Sequence, residues 1–253
     1  MNDVLRLARQ RARADRDREA TAQTHAEALR TANAALATLA PTTPVLTAGL
    51  PTGARFDPAF LTPSQQAAVL AAVDAAALGR WIAGGSADSP RLVANFGGSP
   101  GRAAVTEALP PFLHTLATGL ATRFGWPDPP AHCLVNDYRG RAGLDHHTDG
   151  PLYACSAVIT LVGPALLELK PAAGQEESAA ASPPVHLLLR PGCALALAGP
   201  AYADWTHGIA ATAADTVPAS CVNASAGEVG RTVARAARRV SLVFVCKVGG
   251  GKV

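Results

Sequence analysis

The sequence predicts an α+β fold in which an antiparallel double-sheet β core carries helices packed on one side, with an N-terminal helical extension ahead of it. Three observations carry that prediction. Helix signals cluster in the first half of the chain, and short apolar runs separated by turn residues follow from His132 onward. Strands grouped after helices favour segregated layers over an alternating parallel sheet. The length of 253 residues fits one large domain or two small ones at roughly 100–200 residues per domain.

Residues 3–39 read as a charged, Ala-rich helix with no proline before Pro41 and no broad apolar stripe. Such a helix is an appendage: either an arm that binds a partner or nucleic acid, or a solvated helix whose mixed charges aid solubility. Pro41 and Pro44 mark a linker, so 1–44 forms the extension and 45–253 the folded domain. The domain opens near Phe56 and Phe60. Thr62-Pro63-Ser64-Gln65 supplies an N-cap, proline at the first helical position and glutamine at the third, predicting a helix from Pro63 to about Leu78 that Gly79 ends. Trp81 to Phe96 reads as a hairpin turning at Gly84-Gly85 and stopped by Gly97-Gly98. A second helix follows Pro110-Pro111 and turns Phe112, Leu113, Leu116, Leu120 and Phe124 to one side.

Six strands are expected at 132–138, 155–161, 165–170, 185–190, 193–198 and 238–246. Two segments interrupt them, 171–184 and 211–230, both rich in Ala, Ser, Gly, Pro and Thr. They read as surface insertions, at least partly disordered. No internal repeat is visible.

Composition excludes several function classes. The net charge is +3, and the first 30 residues hold seven Arg against five acidic residues, which leaves the remainder nearly neutral. That argues against a protein whose main task is coating phosphate backbone. Five cysteines, scattered and without a CxxC pair, argue against a disulfide framework or structural zinc and fit a reducing compartment. No stretch approaches the ~18 apolar residues of a membrane span. The Arg-rich N-terminus also carries Asp3, Asp15, Asp17 and Glu19, unlike a transit peptide or a secretory signal. The expectation is a soluble intracellular protein with no membrane partner.

The stretch that carries chemistry is Asn136-Asp137-Tyr138, then Asp145-His146-His147-Thr148-Asp149-Gly150-Pro151, followed by His207-Gly208 and Arg239-Val240-Ser241. In an extended segment His147 and Asp149 share a face. A His-x-Asp pair with a distant third His is the ligand set of the 2-His-1-carboxylate facial triad, which holds non-haem Fe(II) with positions left open. A 2-oxo acid can chelate two of those positions and dioxygen can take the last. On its own, His-x-Asp is weak evidence and reads more readily as a surface turn. The context raises it: His207 follows a strand and a Gly-Pro turn, and Arg239, Ser241 and Val243 share one face of the last strand. An Arg opening a buried strand needs a partner, and a ligand carboxylate supplies one. Alternation turns Arg238 and His146 to the opposite faces.

With these residues in order, the chain resembles the AlkB family of Fe(II)/2-oxoglutarate dioxygenases. Asn136-x-Tyr138, His147-x-Asp149, the distal His207 and Arg239-x-Ser241 match the family's pattern. The stretches NFGGSP, ALPPFL, HTDGPLY, GPAY with HGIA, and RVSL are similar to its homolog-6 branch. The resemblance spans roughly Phe56 to Lys247. It implies a double-stranded β-helix, or jelly roll. It also implies iron ligation by His147, Asp149 and His207, pairing of Arg239 with the distal carboxylate of 2-oxoglutarate, and hydrogen bonds from Asn136 and Tyr138 to that co-substrate, with Ser241 beside them. The implied reaction consumes O2 and 2-oxoglutarate and removes an N-methyl group as formaldehyde. Val245 stands where family members commonly repeat an arginine.

For the substrate, the hairpin from Trp81 to Gly98 matches the family's recognition lid. Arg91, Asn95 and Phe96 are its candidates for contacting phosphate and stacking a base, since a methylated base is reachable only when unpaired or flipped. Packing of Trp81 and Phe96 is the competing reading. Tyr153 and Tyr202, beside two of the ligands, divide in the same way. His114, His132 and His186 lack partners at ligand spacing and read as structural. Three functions stay open: demethylation of N-alkylated nucleic acid, hydroxylation of a protein side chain, and a catalytically silent nucleic-acid-binding member of the fold. Cytoplasm and nucleus are the locations the resemblance implies.

Overall fold

The computed structural model describes residues 2–86, 89–98, 104–173 and 183–247. Helix α1 (Asn2–Leu36) leads into strand β1 (Ala54–Asp57), helix α2 (Pro63–Ala76), the hairpin β2 (Ile82–Ser86) and β3 (Ser89–Phe96), and helix α3 (Pro111–Phe124). Then come β4 (His132–Arg139), β5 (Leu144–His147), β6 (Tyr153–Val162), β7 (Ala165–Pro171), β8 (Val185–Leu189) and β9 (Ala194–Ala198). A short helix α4 (Pro200–Ala203), β10 (Trp205–Ile209), β11 (Ala214–Thr216), β12 (Thr232–Ala234) and β13 (Arg238–Lys247) complete the chain.

The strands form a seven-stranded sheet in the order β1-β9-β6-β13-β4-β3-β2 and a four-stranded sheet in the order β5-β10-β7-β8, all pairings antiparallel. Period-2 alternation gives the larger sheet two different faces. Ala94, Phe96, Val135, Ile159, Leu242 and Phe244 join Val69, Leu113, Leu116 and Leu120 of α2 and α3 in one core. Leu195, Leu197 and Val245 join Leu167, Leu169, Leu187, Leu189 and Ile209 of the smaller sheet in a second. This is the expected α+β jelly roll, with helices on one side and the site between the sheets.

The capping signals work as read. Thr62 Oγ1 accepts from the Gln65 N–H and the Gln65 side chain accepts from the Thr62 N–H at 2.9 Å, closing a capping box. Helix α3 stops at Gly125 in a left-handed conformation.

Several expectations need correction. The hairpin register pairs Gly84 with Arg91, Gly85 with Pro90 and Ser86 with Ser89, so Gly84-Gly85 lies within β2 and is not the turn. Helix α1 is not wholly an appendage. Residues Leu29, Ala32 and Leu36 of its last turns, with Leu39 beyond it, pack into the helix-side core, and Ala32 and Leu36 are fully buried. Segment 211–230 is built onto the smaller sheet. Asn223 Oδ1 accepts from Leu188 N at 2.8 Å and its Nδ2 donates to Leu188 O at 2.9 Å, so one side chain imitates a paired strand. Val217 and Cys221 are buried against Leu188. Composition does not reveal this, because the anchoring rests on one amide side chain and two small apolar residues that meet a strand distant in sequence. The remaining corrections, to Phe96, Tyr153 and Arg91, concern the site and follow below. Most of the insertion expected at 171–184 lies outside the described residues. The five cysteines are free thiols, and no helix among the described residues is long and apolar enough to cross a membrane.

Candidate metal centre and active site

Three donors converge between the sheets. His147 closes β5, Asp149 follows two residues later, and His207 lies in β10 directly opposite His147 in register. Asp149 Oδ1 is 3.7 Å from His147 Nε2 and 3.8 Å from His207 Nε2, and the imidazole centroids are 4.4 Å apart. Donor atoms of all three lie within 4.8 Å of one another, the one group of this kind found among the described residues. His147 is half-exposed, whereas His207 is buried. Burial pushes the His207 pKa down to about 4, against the upward pull of Asp149. A neutral imidazole with a free lone pair is the form a metal needs.

The other end of the same cavity holds a cation without a counter-ion. Arg239 is buried, with its Nη2 3.5 Å from Thr160 Oγ1 and its guanidinium 5.2 Å from the Tyr138 ring. Its Nε has no hydrogen-bond partner, and no carboxylate among the described residues pairs with it. Burial lowers its pKa. An unpaired buried charge costs several kcal/mol, on the order of 3–5 when a partner is removed, so this position fits a ligand carboxylate. Alternation separates the neighbouring arginines as expected: Arg238 turns outward to Asp74 (3.0 Å) and Asp137 (3.1 Å).

Strand pairing puts the remaining co-substrate candidates alongside. Register sets Tyr138 opposite Arg239 and Asn136 opposite Ser241. The cavity, about 80 Å³, is lined by Arg91, Asn136, Tyr138, His147, Asp149, His207, Arg239 and Ser241 over an apolar floor that includes Leu134, Val243 and Leu195. A larger depression of about 810 Å³ lies between the end of α1 and α3, lined by Thr115, Thr118 and Thr122 among others. It gathers no set of ligand atoms, so size does not identify the site.

The four substrate candidates separate. Arg91 is in the cavity but turned inward: its Nε donates to Asn136 Oδ1 at 3.0 Å, and its guanidinium stands 5.8 Å from the Tyr138 ring. It belongs to the co-substrate end, not to an outer phosphate contact. Asn95 lies two register pairs beyond Val93 on the same face, with Oδ1 buried and unpartnered. Phe96 must be withdrawn as a base-stacking residue. It alternates with Asn95, faces the helices, is 1% exposed and lies under the Arg80 guanidinium at 4.8 Å. Tyr153 is also a core residue, 5% exposed and edge-on to His132 at 6.0 Å, instead of standing in the cavity wall. Tyr202, its companion, donates from its hydroxyl to Gly150 O at 2.8 Å and so braces the segment that carries Asp149.

Two features escaped the sequence reading. Arg91 pairs with Asn136, which strand register alone reveals. Val245, at the position of the missing arginine, is flanked in register by His132 and Ser156, and both keep a buried polar atom without a partner, His132 Nδ1 and Ser156 Oγ. Polar capacity here sits on the two neighbouring strands.

No family model matches the chain. The probable RNA/DNA demethylase ALKBH6 of Danio rerio is 28% identical over 199 residues, which cover 74% of this chain and 82% of that protein. The chain is similar in sequence to this AlkB-type relative. Among solved structures, OsALKBH1 superposes with a TM-score of 0.55 at 15% identity, covering 80% of this chain and 100% of that one. That likeness shows the shared fold. In this AlkB-like chain the donor set and the unpaired arginine fit Fe(II) and 2-oxoglutarate: two imidazoles and one carboxylate for the metal, and a buried guanidinium for the far carboxylate of the co-substrate.

Proposed function

We propose that the protein oxidatively demethylates N-alkylated nucleic acid, RNA or DNA, consuming O2 and 2-oxoglutarate and releasing succinate, CO2 and formaldehyde. The observation that carries the oxygenase chemistry is the meeting in one cavity of His147, Asp149 and His207 with a buried Arg239 that has no carboxylate partner among the described residues. The nucleic-acid substrate is supported by the similarity to a probable RNA/DNA demethylase.

His147, Asp149 and His207 would hold Fe(II), and iron in that donor set supplies the dioxygen chemistry that is coupled to decarboxylation of the 2-oxo acid. The protein supplies placement and charge. Arg239 would bind the distal carboxylate bidentately, its geometry held by the Tyr138 ring and Thr160. Asn136, already accepting from Arg91 Nε, keeps its amide nitrogen available to a second oxygen of the acid. Leu134, Val158, Val243 and Leu195 exclude water from the reacting end, which strengthens each polar contact. Burial keeps His207 neutral at working pH, so no proton competes with the metal there.

Access to a methylated base runs past His147, the most exposed of the three donors. The near-neutral core means that affinity rests on a few placed residues and base capture, with a shallow salt dependence. The test is incubation with methylated oligonucleotides, Fe(II) and 2-oxoglutarate, followed by mass spectrometry of nucleosides and quantitation of succinate. Loss of one methylated nucleoside in step with succinate supports the reading. Succinate coupled to peptides but not to oligonucleotides would move the substrate to a protein side chain.

A further inference from the structure

Behind the three donors, on the outer face of the smaller sheet, lies a polar row that the proposed chemistry does not use. Register sets Gly208 of β10 opposite Glu168 of β7, and Glu168 opposite His186 of β8. His146 of β5 extends over Gly208 and brings its Nε2 to 2.7 Å from Glu168 Oε2. Glycine is required for that crossing, because a Cβ at 208 would stand 2.7 Å from His146 Cδ2 and 2.9 Å from Nε2. Glu168 is steadied from the far side by His186, whose Nε2 is 3.7 Å from Oε1 and whose Nδ1 is 2.8 Å from Ser220 Oγ. His146 is steadied in turn by Thr206, with Nδ1 3.3 Å from Oγ1, and Thr206 donates to Lys170 O at 3.2 Å.

What this row holds is the weakest part of the metal centre. Strand β5 is at the sheet edge and meets β10 at two register pairs, His207 with His147 and Ile209 with Leu144, with an irregularity between them. Yet β5 and the residues just after it supply two of the three donors. The backbone ladder alone fixes His147 and Asp149 poorly. The side-chain strut from His146 to Glu168 spans the intervening strand and ties β5 to β7.

We propose that Glu168 is a positioning residue for the metal site: through His146, and across the gap left by Gly208, it holds β5 so that His147 and Asp149 meet His207. The inference rests on the reading of those three residues as a metal site. It predicts that outer-face changes, remote from 2-oxoglutarate, act on metal affinity. Hydrogen-bonded residues that orient metal ligands typically govern affinity by about 10–100-fold.

The test uses Co(II) as a spectroscopic stand-in for Fe(II), titrated into the full-length metal-free protein. Glu168→Leu is expected to weaken Co(II) binding by about tenfold or more and to alter the visible absorption of the bound ion, with the KM for 2-oxoglutarate little changed. Glu168→Gln, which retains an oxygen to accept from His146, should restore most of the affinity. Gly208→Ala, which displaces the imidazole from the other side, should reproduce the Leu variant without touching the carboxylate and covers the case in which that variant does not fold. Wild-type affinity and spectrum in both Glu168→Leu and Gly208→Ala would overturn the proposal. Failure of the unaltered protein to bind Co(II), with His147→Ala behaving identically, would overturn it together with the metal reading, and so tells the two failures apart.

Discussion

At the Arg239 end of the cavity, β13 pairs with β4 residue for residue from Arg238 through Val245 and with β6 on its other side. At the metal end, β5 touches β10 at two positions. Arg239, Ser241, Tyr138 and Asn136 are therefore fixed by a continuous backbone ladder, whereas His147 and Asp149 depend on side chains: His146 to Glu168, and the Tyr202 hydroxyl to Gly150 O. The contrast teaches where the site is tolerant. Changes at the ladder end remove one contact and leave its neighbours in place. Changes around β5 move ligands that are not themselves altered.

The contrast breaks most completely at Asp149. Asp149→Ala should abolish succinate production while leaving the far-UV circular dichroism and the ladder end intact. Retained turnover would contradict the assignment of the triad. Next in size is Arg239→Leu. Losing a charge-assisted contact of about 1.5–3 kcal/mol should raise the KM for 2-oxoglutarate about 10–100-fold, with Co(II) affinity unchanged. Equal loss of metal binding would erase the distinction between the ends. Tyr202→Phe removes one neutral hydrogen bond, and about 1 kcal/mol of stability should be lost, with a modest fall in metal affinity and none in 2-oxoglutarate affinity. Isothermal titration of each ligand separates these outcomes.

A pH series sharpens the same comparison. The folded pKa of His207 is held at about 4 by burial, below the ordinary value of about 6.5. The unfolded chain therefore binds the proton more readily in that window. For the metal-free protein, the contribution of neutral His207 is complete above about pH 6.5 and is lost as pH falls toward 4. Urea midpoints of the metal-free protein should fall between pH 7 and pH 5, and His207→Asn should flatten that fall. An equal slope in the variant would assign the effect elsewhere.

The same division explains what was legible in the sequence. The six strands read from apolar runs all appear, because each is buried on at least one face and its pattern shows it. Strand β5, with sequence LDHH, carries no alternation of apolar residues and was visible only through its chemistry. Strand β10 was likewise recognised by His207 and not as a strand. Alternation also rules out Phe96 as a base-stacking residue. Arg91 and Asn95 share a face of β3, and Phe96 must take the other with Leu92 and Ala94, so the three were never able to act together. The docking of helix α1 is hard to read because its apolar contacts among the described residues, Leu29, Ala32 and Leu36, form a local spacing that a long charged helix dilutes. Arg91 holding Asn136 was invisible because the two residues are 45 apart in sequence and meet only through register.

The central claim is that the three donors and Arg239 form one site for iron and a 2-oxo acid, and its most direct test is anaerobic. Titration of 2-oxoglutarate into Fe(II)-loaded protein should produce the visible charge-transfer band of a chelated 2-oxo acid, absent in His147→Ala and shifted to much higher co-substrate concentration in Arg239→Leu. No band in the unaltered protein, or an Arg239→Leu titration that overlays it, would contradict the account.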